Sequence, residues 1–510
     1  MILTKTEESR LLDSMAMKEY GIPEMVLMEN AGSSVVRLTE KYVDWDGAFT
    51  VILCGTGNNG GDGFVAARYA AGRGARVLVL LMGNEAHMSE SSKQYRHVID
   101  KMGIPVIPIS RAEEGAPYIH DADILVDALI GTGLSSEVKG EKALLITLMN
   151  EAQGIIISVD VPSGMLTDTG KAAGVVVDAD YTVALGSVKR GHVLYPGSSY
   201  TGTLLYSPIG IPDEARMDFP VHLTEKEDVF NILPVRNRVS HKGKNGFIGI
   251  FAGSYGMEGA ALLAGQGALY AGGGKVAVVT SGGAHPALAG RIPELMVSSL
   301  GKGPFFTEAD SEEALEKAKA YDVIALGPGL GREKETGKFV KRLITSFDKT
   351  MVIDADALFA VKEENIALDT CPGRLILTPH VGEFSHLTGL SPKEIEDGRI
   401  DEAIRFAVDN HVVLVLKGAP TVTAMPDGSA YVNTTGNPGM ATGGMGDTLT
   451  GIIAALAGQG MNASGAALAG VYLHGLAGDM AAEKTPVGYR AGDLAEWIPA
   501  ARAEVMKMGR

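Results

Sequence analysis

NPGMATGGMGDTLTG, Asn437–Gly451, places Gly443, Gly444 and Gly446 and then Asp447 at the mouth of an apolar helical run. Backbone N–H groups at a helix start form a ready anion site, and glycines let a phosphate approach that backbone closely. An aspartate inside such a nest repels a phosphate, so it is a poor ligand there. It suits a base that takes a proton from a hydroxyl while the nest holds the charged group. The stretch reads as a phosphoryl-transfer site, with Asp447 as a candidate catalytic residue. Around it, short apolar runs alternate with helical stretches throughout the chain, the pattern of an α/β protein with parallel sheets and crossover helices.

The chain divides near residue 220. Strands are expected at Phe49–Leu53, Ala75–Leu81, Asp123–Asp127, Gly154–Val159 and Tyr181–Leu185 in the first half. In the second half they are expected at Gly246–Ala252, Lys275–Thr280, Tyr321–Leu326, Thr350–Asp354, Arg374–Leu377 and Val412–Leu416. A hairpin, Thr421–Met425 and Ala430–Asn433, flanks the turn Pro426-Asp427-Gly428. The proline-punctuated, charged segment Ile209–Pro234 reads as a linker.

Composition narrows the class. A chain of 510 residues exceeds one core, and 45% hydrophobic residues are ample for two or three. The net charge of −16 argues against nucleic acid and against anionic membrane as partners, so an anionic ligand must be met by local backbone, Lys and Arg groups. Cys54 and Cys371 lie far apart, which points away from a disulfide framework and towards a reducing, cytoplasmic setting. The start, MILTKTEESRLLDSMAMKEY, is polar and mixed in charge, unlike a signal peptide. Thr448–Gly478 carries no charge and is long enough to span a bilayer, yet Gln459, Gly460, Asn462 and Ser464 break it; two buried helices joined by a turn fit better. The glycine content and apolar helices permit a homo-oligomer without specifying one.

In the first half, CGTGNNGGDGF follows a strand, and Gly55, Gly57 and Gly60 make a literal GxGxxG. The acid that would grip a ribose at the next strand end is missing from LLMGNEAH, and Asp62 sits inside the loop itself, which argues against an ordinary dehydrogenase. Asp127 opens DALIGTGLSSE and Asp160 opens DVPSG, both at strand ends. Each carboxylate alone could simply cap the next helix or turn. Three strand ends bearing Asn59, Asp127 and Asp160 suit one crevice better, and the oxygens of Asn59, Asp127 and Ser163 suit a hard cation, with water or a lysine as the alternative occupant.

With MENAG (Met28–Gly32), GNNGGDG, DALIGTG, VDVPSG and Lys189, residues 1–218 resemble the NAD(P)HX epimerase domain of the bifunctional NAD(P)H-hydrate repair enzymes. The resemblance implies a Rossmann-like three-layer α/β/α fold and K+ held by Asn59, Asp127 and Ser163. It implies substrate contacts from Asn58, Asn59, Gly60, Gly61 and Asp62, from Gly131, Thr132, Gly133, Leu134, Ser135, Ser136 and Glu137, and from Asp160. The reaction would interconvert the R and S forms at the hydroxyl-bearing C6 of hydrated NADH or NADPH. Asp160 is the candidate proton-handling residue; Lys189 is a second candidate or a solvated turn residue.

In the second half, HKGKNG, AGSYGMEGAALLAG, GPGLG (Gly327–Gly331), ILTPHVGEF and KGAPT each adjoin an expected strand. GPGLG could be only a tight turn, His380 a turn cap and Lys417 a surface lysine. Asp354 and Asp356 in VIDADAL read as helix caps and stay outside the catalytic set. Together these strings make residues 225–510 similar to the ribokinase-like ADP-dependent NAD(P)HX dehydratases; GGMGD alone carries only the superfamily. The resemblance implies nucleotide contacts from Lys417, Gly418, Ala419, Pro420, Thr421 and Gly446. It implies contacts to the hydrated nicotinamide nucleotide from Ala260, Gly329, His380 and Asp447. Val381 stands where the family often has proline, which leaves the loop usable. Asp447 would deprotonate the C6 hydroxyl for attack on the terminal phosphoryl, with Mg2+ assisting, and phosphate would then leave. ADP, giving AMP and phosphate, is the family's expectation; the residues do not choose between ADP and ATP. The competing reading is a ribokinase-like kinase of a small vitamin-precursor alcohol with a non-catalytic, ligand-binding first half.

Overall fold

The computed structural model describes every residue except 217, 218 and 510. The chain forms two compact units, Met1–Val221 and His222–Arg510. The expected boundary at residue 218 falls outside the described residues.

In the first unit the strands are β1 (Leu3–Thr4), β2 (Phe49–Cys54), β3 (Arg76–Met82), β4 (Val106–Ile109), β5 (Ile124–Ala128), β6 (Ile155–Val159), β7 (Tyr181–Leu185), β8 (Val188–Lys189) and β9 (Thr203–Ser207). Seven of them make a parallel sheet in the order β4-β3-β2-β5-β6-β7-β9. Because side chains alternate along a strand, Ile52 and Cys54 enter the core on one face, while Val51 and Leu53 enter the core on the other. Helices therefore cover both faces. The chain winds outward from β2 to β4 and then returns to continue from β5, so the winding direction reverses between β2 and β5. That is where an open α/β sheet leaves a crevice at its carboxyl edge. β1 and β8 pair separately and in parallel, Thr4 opposite Lys189.

The second sheet has ten strands: β10 (Val221–Leu223), β11 (Phe247–Phe251), β12 (Lys275–Ser281), β13 (Met296–Leu300), β14 (Val323–Leu326), β15 (Thr350–Ile353), β16 (Arg374–Leu377), β17 (Val413–Leu416), β18 (Thr421–Ala424) and β19 (Ala430–Asn433). From β11 the chain goes to β12 and β13 on one side and then to β14–β17 on the other, so its reversal lies between β11 and β14. The expected hairpin is present as antiparallel β18–β19. β4, β9, β10 and β13 were not expected from sequence; all are short or polar-interrupted runs.

One expectation changes, and one about the uncharged stretch holds. The segment Ile209–Pro234 is not a bare linker: it holds β10 and the helix Lys226–Ile232, and Val229 and Leu233 belong to the second core. Prolines flanking these short elements had masked them. The uncharged stretch forms two helices, Met445–Gly458 and Ala463–Ala482, and no helix among the described residues is long and apolar enough to cross a membrane. The first of these packs backbone-close on the helix Glu258–Tyr270: a Cβ on Gly451 would stand 1.9 Å from the Ala264 carbonyl oxygen.

Candidate active sites

The first site lies at the β2/β5 reversal. Its loop turns so tightly that a Cβ on Gly60 would come within 1.9 Å of the Gly55 carbonyl oxygen, which only glycine permits. The helix Asn58–Gly72 starts directly after the loop, with Gly57 as its N-cap. A cavity of about 490 Å³ opens there, lined in part by Asn58, Asn59, Asp62, Gly131, Thr132, Gly133, Asp160 and Lys189. Gly60 and Gly61 are buried behind it, and Leu134–Glu137 lie outside the lining on a mostly exposed loop.

Asp127 and Ser163 lie beneath the cavity, fully buried. The Asp127 carboxylate accepts bonds from Ser158 Oγ (2.9 Å), Ser163 N (2.8 Å), Ser163 Oγ (2.5 Å) and Leu129 N (3.3 Å). Burial nevertheless pushes its carboxyl above the ordinary value. Asn59 packs against Gly131, and its buried amide nitrogen has no hydrogen-bond partner among the described residues. The amide, hydroxyl and carboxylate oxygens of Asn59, Ser163 and Asp127 are the donor types that fit a hard cation.

Lys189 is no solvated turn residue: its side chain is 1% exposed and ion-paired with Asp160. Its ammonium donates to Asp160 Oδ1, to Leu185 O (2.7 Å) and to Ser187 O (3.0 Å). Asp160 sits in the left-handed region (φ 64°), which turns its carboxylate back onto Lys189 and the Leu185 N–H at 2.9 Å. Burial, with Asp160 and Asp13 nearby, holds the Asp62 carboxyl well above its ordinary value.

The second site gathers the carboxyl edges of β15, β16 and β17 with the start of the helix Met445–Gly458. Its cavity of about 510 Å³ is lined by Asp354, His380, Glu383, Lys417, Gly418, Gly446 and Asp447, among others. Gly444 caps that helix with φ 91°, a conformation glycine adopts without strain. Lys417 is held rather than free: its Nζ donates to Asp354 Oδ1 at 2.8 Å and lies 3.8 Å from Glu383 Oε2. Asp354 also accepts from Thr450 Oγ1 at 2.7 Å.

The reading of Asp354 as a helix cap is thus wrong; it is a buried partner of the lysine, an arrangement legible only once β15 and β17 are known to share an edge. Asp356 bonds to the Gly331 N–H at 2.9 Å and to Arg332, outside this cavity. Burial raises Asp354, but Lys417 and Thr450 outweigh it and leave its carboxyl below the ordinary value. Asp447 goes the other way: burial and the negative charge of Asp354 push it up to about 7.

His380 does cap its helix, accepting from the N–H groups of Gly382 (3.0 Å) and Glu383 (3.2 Å), and it still lines the cavity. Ala419, Pro420 and Thr421 continue from the cavity wall without lining it. Ala260 and Gly329 lie at the β11/β14 reversal, where a Cβ on Gly329 would be 3.1 Å from that of Ala260; they too lie outside the cavity. Sequence reasoning missed Arg399. It is buried, donates to Lys417 O (2.7 Å) and Pro420 O (3.0 Å), and shapes the KGAPT loop from beneath.

Comparison with known proteins matches both halves. The family model of the YjeF-related protein N-terminus matches residues 24–191, and that of NAD(P)H-hydrate dehydratase matches residues 248–500. A bifunctional NAD(P)H-hydrate repair enzyme from Moorella thermoacetica is 40% identical over 98% of this chain and 96% of its own. One of the same name from Thermofilum pendens is 41% identical over 95% of this chain and 93% of its own. A ribokinase-like superfamily protein from Enterococcus faecalis, 26% identical, superposes on 56% of this chain and 96% of its own with a TM-score of 0.50.

Proposed function

Because the chain belongs to the bifunctional NAD(P)H-hydrate repair enzymes, we propose a role for each residue of its two sites. The chain is a metabolite-repair enzyme: an N-terminal epimerase equilibrates the R and S hydrates of NADH and NADPH, and a C-terminal ribokinase-like dehydratase returns the S hydrate to NADH or NADPH at the expense of a nucleotide. Its substrates are small molecules, and its two free cysteines suit a cytoplasmic setting.

In the second site, Asp447 takes the proton of the C6 hydroxyl, and the oxygen attacks the terminal phosphoryl of the nucleotide. The N–H groups at Gly444–Gly446 receive the charge that develops on the transferred group. Lys417, locked on Asp354, adds a fixed positive charge, and residues 417–421 with Gly446 hold the nucleotide; ADP is the donor we expect. The ester then leaves as phosphate, driven by the ring nitrogen, and loss of a C5 proton restores the dihydronicotinamide. Ala260, Gly329 and His380 position the nicotinamide nucleotide. Lys417 engages Asp354 and Glu383, so Mg2+ would be held through the nucleotide's phosphates, with Asp447 the nearby carboxylate left unpaired by the lysine, and would supply positive charge there.

In the first site, Asn58–Asp62, Gly131–Glu137 and Asp160 hold the hydrate, and Asp160 moves a proton at C6. Potassium would be held by Asn59, Asp127 and Ser163, where it would supply positive charge beside a buried carboxylate.

The observation that carries this reading is Asp447 in a helix-start nest beside a lysine locked to a buried aspartate. Its test is repair of acid-prepared hydrated NADH, followed as return of the dihydronicotinamide absorbance with ADP, with ATP and with neither. Full nucleotide-dependent recovery of both epimers is expected. Recovery stopping partway would remove the epimerase assignment, and accumulation of a stable phosphorylated product would favour the alcohol kinase.

A further inference from the structure

The epimerase site needs a proton donor, and the ion pair of Lys189 and Asp160 does not supply one. An ammonium has three hydrogens, and Lys189 spends all three on Asp160, Leu185 O and Ser187 O. Asp160 is the anionic half of that pair. Glu24 is occupied as well, accepting from Asn58 Nδ2 at 3.0 Å and Ser91 Oγ at 3.2 Å.

The helix Thr6–Lys18 brings in one further carboxyl. Ser9, Arg10, Asp13 and Met17 form the face that lines the cavity, while Leu12 and Ala16 turn into the core. This helix is tied to the segment that carries Lys189. Thr4 pairs with Lys189 in the β1–β8 ladder, Thr4 Oγ1 bonds Ser187 Oγ at 2.7 Å, and Glu8 lies 3.5 Å from Arg190. Asp13 Oδ1 consequently stands 3.8 Å from where a Cβ on Gly186 would be, against the turn whose flanking groups hold Lys189 and Asp160. Three carboxyls, Asp13, Asp62 and Asp160, thus share a cavity with one buried cation, and they cannot all ionise cheaply.

We propose that Asp13 is the second proton-handling residue of the epimerase, working opposite Asp160 on the C6 hydroxyl. The proposal rests on the epimerase reading of this site. Asp13 gives its proton to the hydroxyl as the C6–O bond breaks and water departs, and the nitrogen lone pair forms the C6=N1 iminium. Water then adds to the other face, forming a new C6–O bond, and its proton goes to Asp160. The two carboxyls exchange protons with solvent before the next turnover, and the reverse reaction uses them in swapped roles. Desolvation, partly offset by Lys189 and reinforced by Asp160, pushes the Asp13 carboxyl up to about 6, near the range useful to an acid at neutral pH. The charged groups facing it are Lys189, Asp160 and Asp62, with Arg10 on its own helix and Glu24 and Lys142 across the cavity.

The test uses full-length parent, Asp13→Asn and Asp13→Glu on purified R-NADHX, with epimerisation followed chromatographically. The urea denaturation midpoint of the first unit, compared between parent and variants, serves as the folding control. For Asp13→Asn, kcat should fall about 100-fold or more with KM within about threefold. The parent's kcat should decline as pH rises past about 6, and Asp13→Asn should lose that limb. Asp13→Glu should recover part of the rate with the limb moved. In 18O water the parent should place label at C6 as fast as it epimerises. A parent that does not epimerise R-NADHX overturns the epimerase reading and this proposal with it. A parent that epimerises while Asp13→Asn keeps its rate and pH profile overturns the proposal alone.

Discussion

Asp447 is costly to the fold in its working state, and removing its charge should expose that cost. Burial and Asp354 lift its carboxyl from 3.8 to about 7. At 1.36 kcal/mol for each unit, the difference of about 3 units means that the ionised form destabilises the native protein by roughly 4 kcal/mol. The sign follows from proton binding. Between 3.8 and about 7 the native state holds a proton that the unfolded state has lost, so this group's contribution to stability falls as pH rises and levels off above 7. Asp447→Asn carries no such charge. Relative to the parent it should gain roughly 2 kcal/mol at pH 5 and roughly 4 kcal/mol at pH 8.5, so the gain should about double between the two. Urea unfolding of parent and variant at both pH values measures it, taking the transition that the substitution moves. The variant should also lose dehydration of S-NADHX by two orders of magnitude or more. A stability difference that stays flat between pH 5 and 8.5 would refute the argument that burial and Asp354 hold this carboxyl up.

The parent's dehydratase kcat/KM should rise with pH through about 7, because a base works deprotonated, and Asp354→Asn should move that midpoint to lower pH by removing a negative neighbour. Arg399→Met should free the carbonyls of Lys417 and Pro420. At about 1.5–3 kcal/mol for a charged hydrogen bond, the KM for ADP should rise about 10- to 100-fold while that for S-NADHX changes little. Lys189→Met leaves the Asp160 carboxylate without its cation, so epimerisation should collapse and the first unit should lose about 3–5 kcal/mol, read as a lower denaturation midpoint, with dehydration of S-NADHX retained.

Much of this was legible in the chain because loops and strands announce themselves locally. Asn59, Asp62, Asp160, Lys417 and Asp447 were found from loops behind apolar runs, and Asn58 and Gly131–Gly133 from the family resemblance; each lines a cavity. What escaped depends on partners distant in sequence. Asp354 reads as a cap until Lys417, 63 residues on, is seen to reach it. Arg399 lies on an ordinary amphipathic helix, and only the fold puts its guanidinium under the nucleotide loop. Asp13 belongs to a polar opening segment whose one signal was the face shared by Ser9, Asp13 and Met17, and nothing local said that it meets Lys189. The helix Lys226–Ile232 was lost among prolines, since one short helix carries too little periodicity to outweigh them.

The close seat of Gly451 on Ala264 has a consequence for how the protein is made. The helix Glu258–Tyr270 leaves the ribosome with Ala261, Ala264 and Ala268 uncovered, and the helix that covers them is encoded about 190 residues later. At elongation rates of about 5–20 residues per second that gap lasts roughly 10–40 s. Through that interval the early strands of the second sheet wait with an apolar flank open to water and to neighbouring chains. Bulky substitutions at Gly451, or at Gly267 where a Cβ would stand 2.3 Å from the Thr448 carbonyl oxygen, should therefore lower the yield of soluble protein in cells before they alter the activity of the molecules that do fold.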